Sequence, residues 1–489
     1  MPVAARPAPP STAPPRTHRL DVALAALLGT AVVTWLGLAQ WNLGRAGAYD
    51  LGIFVQAAQS WVAGELPRSE IRTPGGWLLF GEHFSPVTVL FGAAWALWQD
   101  PRSLLVAQGI SLGVAAGLLQ RTASRHVGRG GAWAVTVLFV LSYGVVAMAT
   151  FDVHEVAFAV PLLVGALSAV LERRVRAAVA WSLPLLLVKE DLGLSVGAMA
   201  VLLFLRARTG AERRWAVALA LAAVAGLVGA AFVIQAANPS GQNPFAPAFA
   251  SLFGGGSSGG SSDGSAPVGP KVALVLTALA AGGFCWVASP LALVALPTVG
   301  WRLVTSVENH TSTGFHYDAV LMPVVALAVV DVASRTRHRR AVLALALVCG
   351  LAASAVNTAR HGDDPNPFDA DAWRPGPVAR DLVAVRDELP RGAVVAADAD
   401  SGAYLTGRGD LVVREAAARF ANPAEWMVLN LARGNRAAKE STVAAASAAP
   451  DVRVVRRGDV VALGFACEGL VRIDGGPDDL PDPVWVTGC

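Results

Sequence analysis

Apolar runs separated by short polar turns dominate the chain. The first, residues 20–40, is long enough to cross a hydrocarbon core of roughly 30 Å. It lacks the small-residue site at which a leader would be cut, so it predicts a span. Further runs at 103–120, 131–150, 156–171, 177–188, 192–205, 215–236, 272–288, 290–305, 319–334 and 341–357 bring the expected number of transmembrane helices to about eleven. Residues 84–98 (FSPVTVLFGAAWALW) are apolar too, but so short a segment makes only about 22 Å of helix. It reads as a helix lying on or dipping into the outer leaflet.

Arginine clusters at 121–129, 173–176, 206–214 and 335–340 punctuate alternate turns, and the positive-inside rule assigns them to the cytoplasm. Residues 1–19, rich in Pro, Ala and Thr and ending in Arg16, His18 and Arg19, are expected to form a disordered tail on the same side. The extracytoplasmic side then receives the first loop (41–102), the turn FDVHE (151–155), the turn KED (189–191), the loop 237–271, the turn ENHTSTGFHYD (308–318) and residues 358–489. The loop 237–271 carries GGGSSGGSSDGS, a flexible composition that suits a linker or a mobile lid. In residues 358–489 the stretch VARDLVAVRDEL predicts a helix and AVVAAD a strand. The expected fold is therefore an all-α polytopic transmembrane domain (20–357) with a small extracytoplasmic α/β C-terminal domain, in the cell membrane.

Composition agrees. With 54% hydrophobic and 15% charged residues, the chain is more apolar than a soluble protein needs to be to build its cores. A net charge of only +3 lacks the dense basic face that nucleic acid requires, which excludes that partner. Cys285 and Cys349 fall inside apolar runs as small core residues, whereas Cys467 and Cys489 fall in the polar C-terminal part and can pair if it lies outside the cytoplasm.

Geometry singles out the KED turn. Twelve residues between Arg176 and Lys189 give roughly 18 Å of helix, short of a full crossing, so Lys189, Glu190 and Asp191 are expected to sit recessed below the outer surface. Ionised groups there must pair with one another or line a watery cavity, and they are expected to meet Asp50 or the FDVHE turn. In that turn Asp152, His154 and Glu155 can coordinate a divalent cation, orient a water or hydrogen-bond sugar hydroxyls, and spacing alone does not separate these roles. Asp50, just after the first span, is placed to cap the following helix, to take a proton from an acceptor hydroxyl, or both. His83 in GEHFSP, and His316 and Tyr317 in GFHYD, complete the candidate substrate-binding set.

The ordered motifs YDLGIF, GEHFSP, LLVAQ, DVHE, VKED, HYD and LPRGAVVAAD, over about residues 45–415, resemble a polytopic membrane-protein family known as domain of unknown function 2079. That family is similar to the GT-C class of membrane glycosyltransferases, which use polyprenyl-phosphate sugars as donors and carry an acidic residue in the first outer loop. Asp50 matches that position, and the second acidic position of the class falls on Asp152 or Glu155. Leu51 follows Asp50, where the best-known members have an adjacent acidic pair. The resemblance implies transfer of a sugar from a lipid-phosphate donor to a glycan or protein acceptor at the outer face. Asp50 would be the general base, and Lys189 would offset charge on the leaving phosphate. The remaining candidates would position substrates, and no cofactor is called for beyond the divalent cation that Asp152, His154 and Glu155 can coordinate. The alternatives are a transporter or flippase, whose charges would sit nearer the bilayer midplane, and a non-catalytic envelope-assembly scaffold.

Overall fold

The computed structural model describes residues 16–71, 75–239, 268–305, 307–362, 365–416, 422–448, 452–472 and 484–486. The Gly/Ser-rich stretch of the expected linker, Cys489 and most of the expected N-terminal tail lie outside the described residues, as does the side chain of Cys467. In chain order the first helices are α1 (Arg16–Asn42), α2 (Ile53–Val62), α3 (Val89–Leu97), α4 (Arg102–Val140), α5 (Tyr143–Thr150), α6 (Ala159–Leu171), α7 (Val175–Ser182), α8 (Leu192–Arg206) and α9 (Gly210–Ala237). Among the described residues, five helices are long and apolar enough to cross a membrane: Arg19–Asn42, Arg102–Val140, Gly210–Ala237, His316–Arg335 and Arg339–His361.

Proline and glycine shorten the others. The expected span 177–188 is α7 followed by a 3-10 turn entered at Pro184, and 290–305 is likewise a 3-10 segment led by Pro290 that continues into a helix over Leu296–Val304. The run 103–120 and the first part of 131–150 share α4, which bends at Gly128, whose φ of +77° is open to glycine at no steric cost, and the second run breaks again at Leu141–Ser142 before α5. The first half of α4 packs closely on α1 because Gly109, Gly113 and Gly117 recur every four residues. A Cβ on Gly109 or Gly113 would collide with Thr34 or Thr30 of α1.

The four arginine clusters share one end of the bundle, as their spacing predicts. Arg129 pairs with Asp21 at 2.7 Å, and Glu172 bridges Arg125 and Arg174 at 2.5 and 2.8 Å. Arg206 lies within electrostatic range of Arg173, Arg208 and Arg335. The apolar segment 84–98 becomes a single 3-10 turn and the nine-residue α3, packed on α2 through Phe91 against Phe54.

The C-terminal residues form the expected α/β unit. Its principal strands are ordered β4 (Val412–Glu415), β3 (Val394–Ala397), β5 (Asn422–Asn430), β7 (Val460–Arg472), β6 (Arg453–Arg457), with β8 (Val484–Val486) also on β7. β3 runs parallel to both β4 and β5, and the other pairs are antiparallel. β1 (Arg68–Ser69) and β2 (Trp77–Leu78) make a separate small hairpin in the first loop. This unit docks on the end of the bundle opposite the arginines through one continuous core. Trp41 of α1, Phe54 of α2 and Phe91 of α3 join Leu382, Tyr404 and Val428, and the Tyr404 hydroxyl donates to the Trp41 carbonyl at 2.7 Å.

Candidate functional site

Docking of the sheet against the bundle encloses a cavity of about 460 Å³. Asp50, Tyr49 and Arg45 enter from the segment after α1, Asp152 and Phe151 from the turn after α5, His361 from the helix Arg339–His361, and Asp400 and Arg433 from the sheet unit. Asp50 is not the helix cap considered from the sequence. Residues 48–52 make a π-helical turn, and α2 starts only at Ile53, with Gly52 as its cap. Such turns recur at functional sites. The turn is held from both sides, since Ala48 donates to the carbonyl of Ala399 at 2.7 Å and Gly47 donates to Asp152 Oδ2 at 2.7 Å.

Asp152 has φ of +82°, a costly conformation for a residue with a side chain, and it persists because its surroundings over-determine it. The Gln108 amide donates to the Asp152 carbonyl at 2.8 Å and accepts from His154 N–H at 3.0 Å, while the carboxylate accepts from Gly47. Burial pushes the Asp152 carboxyl up from an ordinary value near 3.8 to about 7. Between those values the folded protein keeps a proton that the unfolded chain has released. This site's contribution to stability is therefore full below about pH 4, falls as pH rises toward 7, and is gone above. Asp152→Asn keeps the acceptor oxygen and is expected to flatten that slope when thermal unfolding is followed from pH 4 to 8.

Beside the cavity lies a second cluster, buried at Glu155 and open at His83, and here the KED turn meets the FDVHE turn as its recess predicts. Lys189 Nζ is 2.9 Å from Glu155 Oε1, and His154 Nδ1 is 2.7 Å from Glu155 Oε2. Neither contact has the alignment of a hydrogen bond, and only the first is an ion pair at neutral pH, because burial lowers the His154 imidazole from its ordinary 6.5 to about 4. Glu190 accepts from the Phe84 N–H at 3.0 Å and contacts His83 Nδ1 at 2.8 Å. Burial lifts the Asp191 carboxyl to about 6, against the pull of Lys189. His316 stacks on His154 with ring centroids 3.3 Å apart, and among the described residues neither of its ring nitrogens has a hydrogen-bond partner. Tyr317 stands between the two regions, 4.3 Å from the His316 ring and within electrostatic range of both Asp50 and Lys189.

Of the sequence-predicted residues, Asp50 and Asp152 reach the cavity. His83, His154, Glu155, Lys189, Glu190, Asp191 and His316 belong to the second cluster, and Tyr317 borders it. Lys189, about nine-tenths buried and satisfied by Glu155, is not positioned to meet a phosphate in the cavity as expected from the sequence. The cation-binding option for Asp152, His154 and Glu155 fares similarly, because Asp152 turns toward Gly47 while Glu155 is engaged by His154 and Lys189. No group of three or more His, Cys, Asp or Glu side chains among the described residues is arranged to hold a metal ion.

Sequence reasoning missed Arg45, His361, Asp400 and Arg433, whose spacing along the chain carries no sign that they meet. It also missed Arg302, whose signal was visible: an arginine inside the apolar run 290–305. Arg302 is wholly buried, pairs with Asp318 at 2.5 Å, and donates to the carbonyls of His310 at 2.7 Å and Ser312 at 2.9 Å. It thereby shapes the 308–318 turn, which brings Ser312, Gly314 and Phe315 to the cavity wall.

The overall fold is like that of ArnT from Cupriavidus metallidurans. The crystal structure of ArnT bound to undecaprenyl phosphate aligns with a TM-score of 0.53 at 13% identity, covering 89% of this chain and 97% of that one. The apo crystal structure aligns at 0.51 and 12% identity, covering 90% and 97%. The likeness is one of fold, and it agrees with the fold that the motif resemblance implies. No curated protein sequence matches the chain. Residues 40–449 match the family described as predicted membrane protein (DUF2079), and the chain is an integral membrane protein that belongs to that family.

Proposed function

We propose that this protein transfers a sugar from a polyprenyl-phosphate donor to an acceptor hydroxyl in the cavity between the helical bundle and the sheet unit. The observation that supports this reading is the composition of the cavity wall: Asp50 and Asp152 face the same space as Arg45 and Arg433. A general base, and guanidinium groups that favour a phosphate, are what glycosyl transfer from a lipid phosphate needs. The fold adds weight, since a structure of like architecture holds undecaprenyl phosphate. In this mechanism the acceptor oxygen bonds to the anomeric carbon as the bond from that carbon to the phosphate oxygen breaks. The acceptor proton goes to Asp50, and the phosphate leaves with the electron pair toward Arg45 and Arg433. Asp152 holds the loop that carries Asp50 through its bond to the Gly47 N–H. The role first considered for Lys189 passes to the two arginines, and Lys189 with Glu155 and His154 supports the turn behind them.

Purified protein in nanodiscs, given radiolabelled polyprenyl-phosphate sugars and a mixture of glycan and protein acceptors, is expected to move label from the lipid to the aqueous or protein fraction. Retention of all label on the lipid with every donor tested would sink the proposal. Arg45→Gln is expected to raise the KM for the lipid donor by roughly tenfold or more, the scale of one lost charge-assisted contact to phosphate. The proposal also places the sheet unit and the cavity outside the cytoplasm. Cysteines introduced at Val454 and Arg208 test this in intact cells, where an impermeant thiol reagent should label the first and spare the second.

A further inference from the structure

We infer that the segment between the helix Arg339–His361 and the sheet unit, residues 365–375, is a membrane-embedded foot that seats the sheet unit on the boundary between lipid headgroups and acyl chains. Instead of running straight into the sheet, the chain folds back along the last turns of α1. Asn42 Nδ2 donates to the Ala372 carbonyl at 3.3 Å, and the Gly376 N–H donates to the Asn42 carbonyl at 2.8 Å. The Trp373 ring reaches Trp35, two turns back from the end of α1, at a centroid distance of 5.2 Å. Seven residues of helix rise about 10 Å, so Trp373 descends beside a span to a level below its polar end.

The loop is closed by its own chemistry. Trp373 Nε1 donates to the Pro367 carbonyl at 2.9 Å, and the Asp369 carboxylate accepts from the Asp371 N–H at 3.0 Å. This closure leaves Phe368 94% exposed and, with one side of its ring against Trp35, Trp373 64% exposed. Exposed aromatics of that size are costly in water. They are at home in the interfacial belt, where an apolar ring meets acyl chains and an indole N–H meets polar groups. Asp369, Asp371 and Arg374 in the same short loop supply the polar side that keeps it at the boundary rather than in the core. A lipid occupant also fits the neighbouring surface: Leu97 and Trp98 at the end of α3 are 90% and 45% exposed, and Arg102 lies over the rings of both Trp98 and Trp41. Phe368 and the open side of Trp373 thus stand with Leu97 and Trp98 as large apolar side chains exposed at the sheet-unit end of the bundle.

The test uses the full chain in nanodiscs of phosphatidylcholine and phosphatidylglycerol at about three to one, with Phe368 replaced by photoreactive p-benzoylphenylalanine, and the same residue at Val454 of β6 as a control. Because Phe368 packs on little, the substitution leaves folding intact. On irradiation, position 368 is expected to yield phospholipid adducts, read as mass increments on the peptide, at least tenfold more often than position 454. Equal yields at the two positions, or adducts to protein in place of lipid at 368 when the experiment is repeated in native membranes, would overturn the inference. Phe368→Asp offers a second readout. It should increase the labelling of a cysteine placed at Ala370 by a water-soluble maleimide several-fold, and no change there would equally count against a lipid-seated foot.

Discussion

Asp50→Asn is expected to cut turnover by about 100-fold or more, with little change in thermal stability. Loss of a positioned proton acceptor costs on that scale, and the amide matches the carboxylate in size but cannot take the acceptor proton. The fold removes the main competing explanation. A capping aspartate would tolerate Asn and lose about 1 kcal/mol as Ala. Asp50, however, lies inside a π-helical turn, and neither that turn nor α2 has a side-chain cap. Asp50→Asn and Asp50→Ala should therefore be nearly equal in activity. The comparison is made in one assay, with the lipid donor saturating so that kcat is read. Near-normal kcat in the Asn variant would remove Asp50 as the base. With it would go glycosyl transfer as written, leaving transport or assembly as the reading to pursue.

The membrane architecture was legible because it depends on composition over long windows. Some twenty apolar residues must span or be buried, and arginines flanking them must stay out of the hydrocarbon, so the membrane class and the shared end of the arginine clusters followed from the pattern, whereas of about eleven expected spans five helices among the described residues have the length and apolarity to cross. Helix arithmetic went further and placed Lys189 in a recess against either Asp50 or the FDVHE turn, and of the two it is Glu155 of the turn that it contacts. What the pattern could not supply was which polar groups share water. Lys189 and Asp50 both read as outer-end charges, yet the first is enclosed by Glu155 and the second faces the cavity. The difference is made by residues hundreds of positions away, since the cavity exists only where Ala399, Asp400 and Arg433 close over the segment after α1. Local periodicity has no term for such a meeting. The π-helical turn was likewise invisible, because the same residues suit an ordinary capped helix until Gly47 and Ala48 are drawn aside by Asp152 and Ala399.

Arg302 illustrates the opposite case, a signal present in the sequence whose partner only the fold identifies, and its replacement is expected to have the largest effect on stability. Arg302→Leu suits the apolar run on local grounds, and a propensity argument would predict a neutral or favourable change. The buried environment predicts the reverse. With Arg302 and Asp318 both fully inaccessible and 2.5 Å apart, removing the guanidinium strands the Asp318 carboxylate. It also strands the His310 and Ser312 carbonyls to which Arg302 donates. Breaking one side of a buried pair costs about 3–5 kcal/mol, far more than the intact pair contributes relative to an apolar substitute of like volume. Arg302→Leu combined with Asp318→Leu should therefore recover much of what Arg302→Leu alone loses. Thermal unfolding in a mild detergent, followed for wild type, both single variants and the double variant, measures that coupling. If the double variant is as unstable as the sum of the singles, the two residues do not act as a pair. The same series reads out function, since the 308–318 turn supplies Ser312, Gly314 and Phe315 to the cavity. A double variant that regains stability but not turnover would show that Arg302 shapes the cavity wall through the carbonyls it holds, and not only through its charge partner.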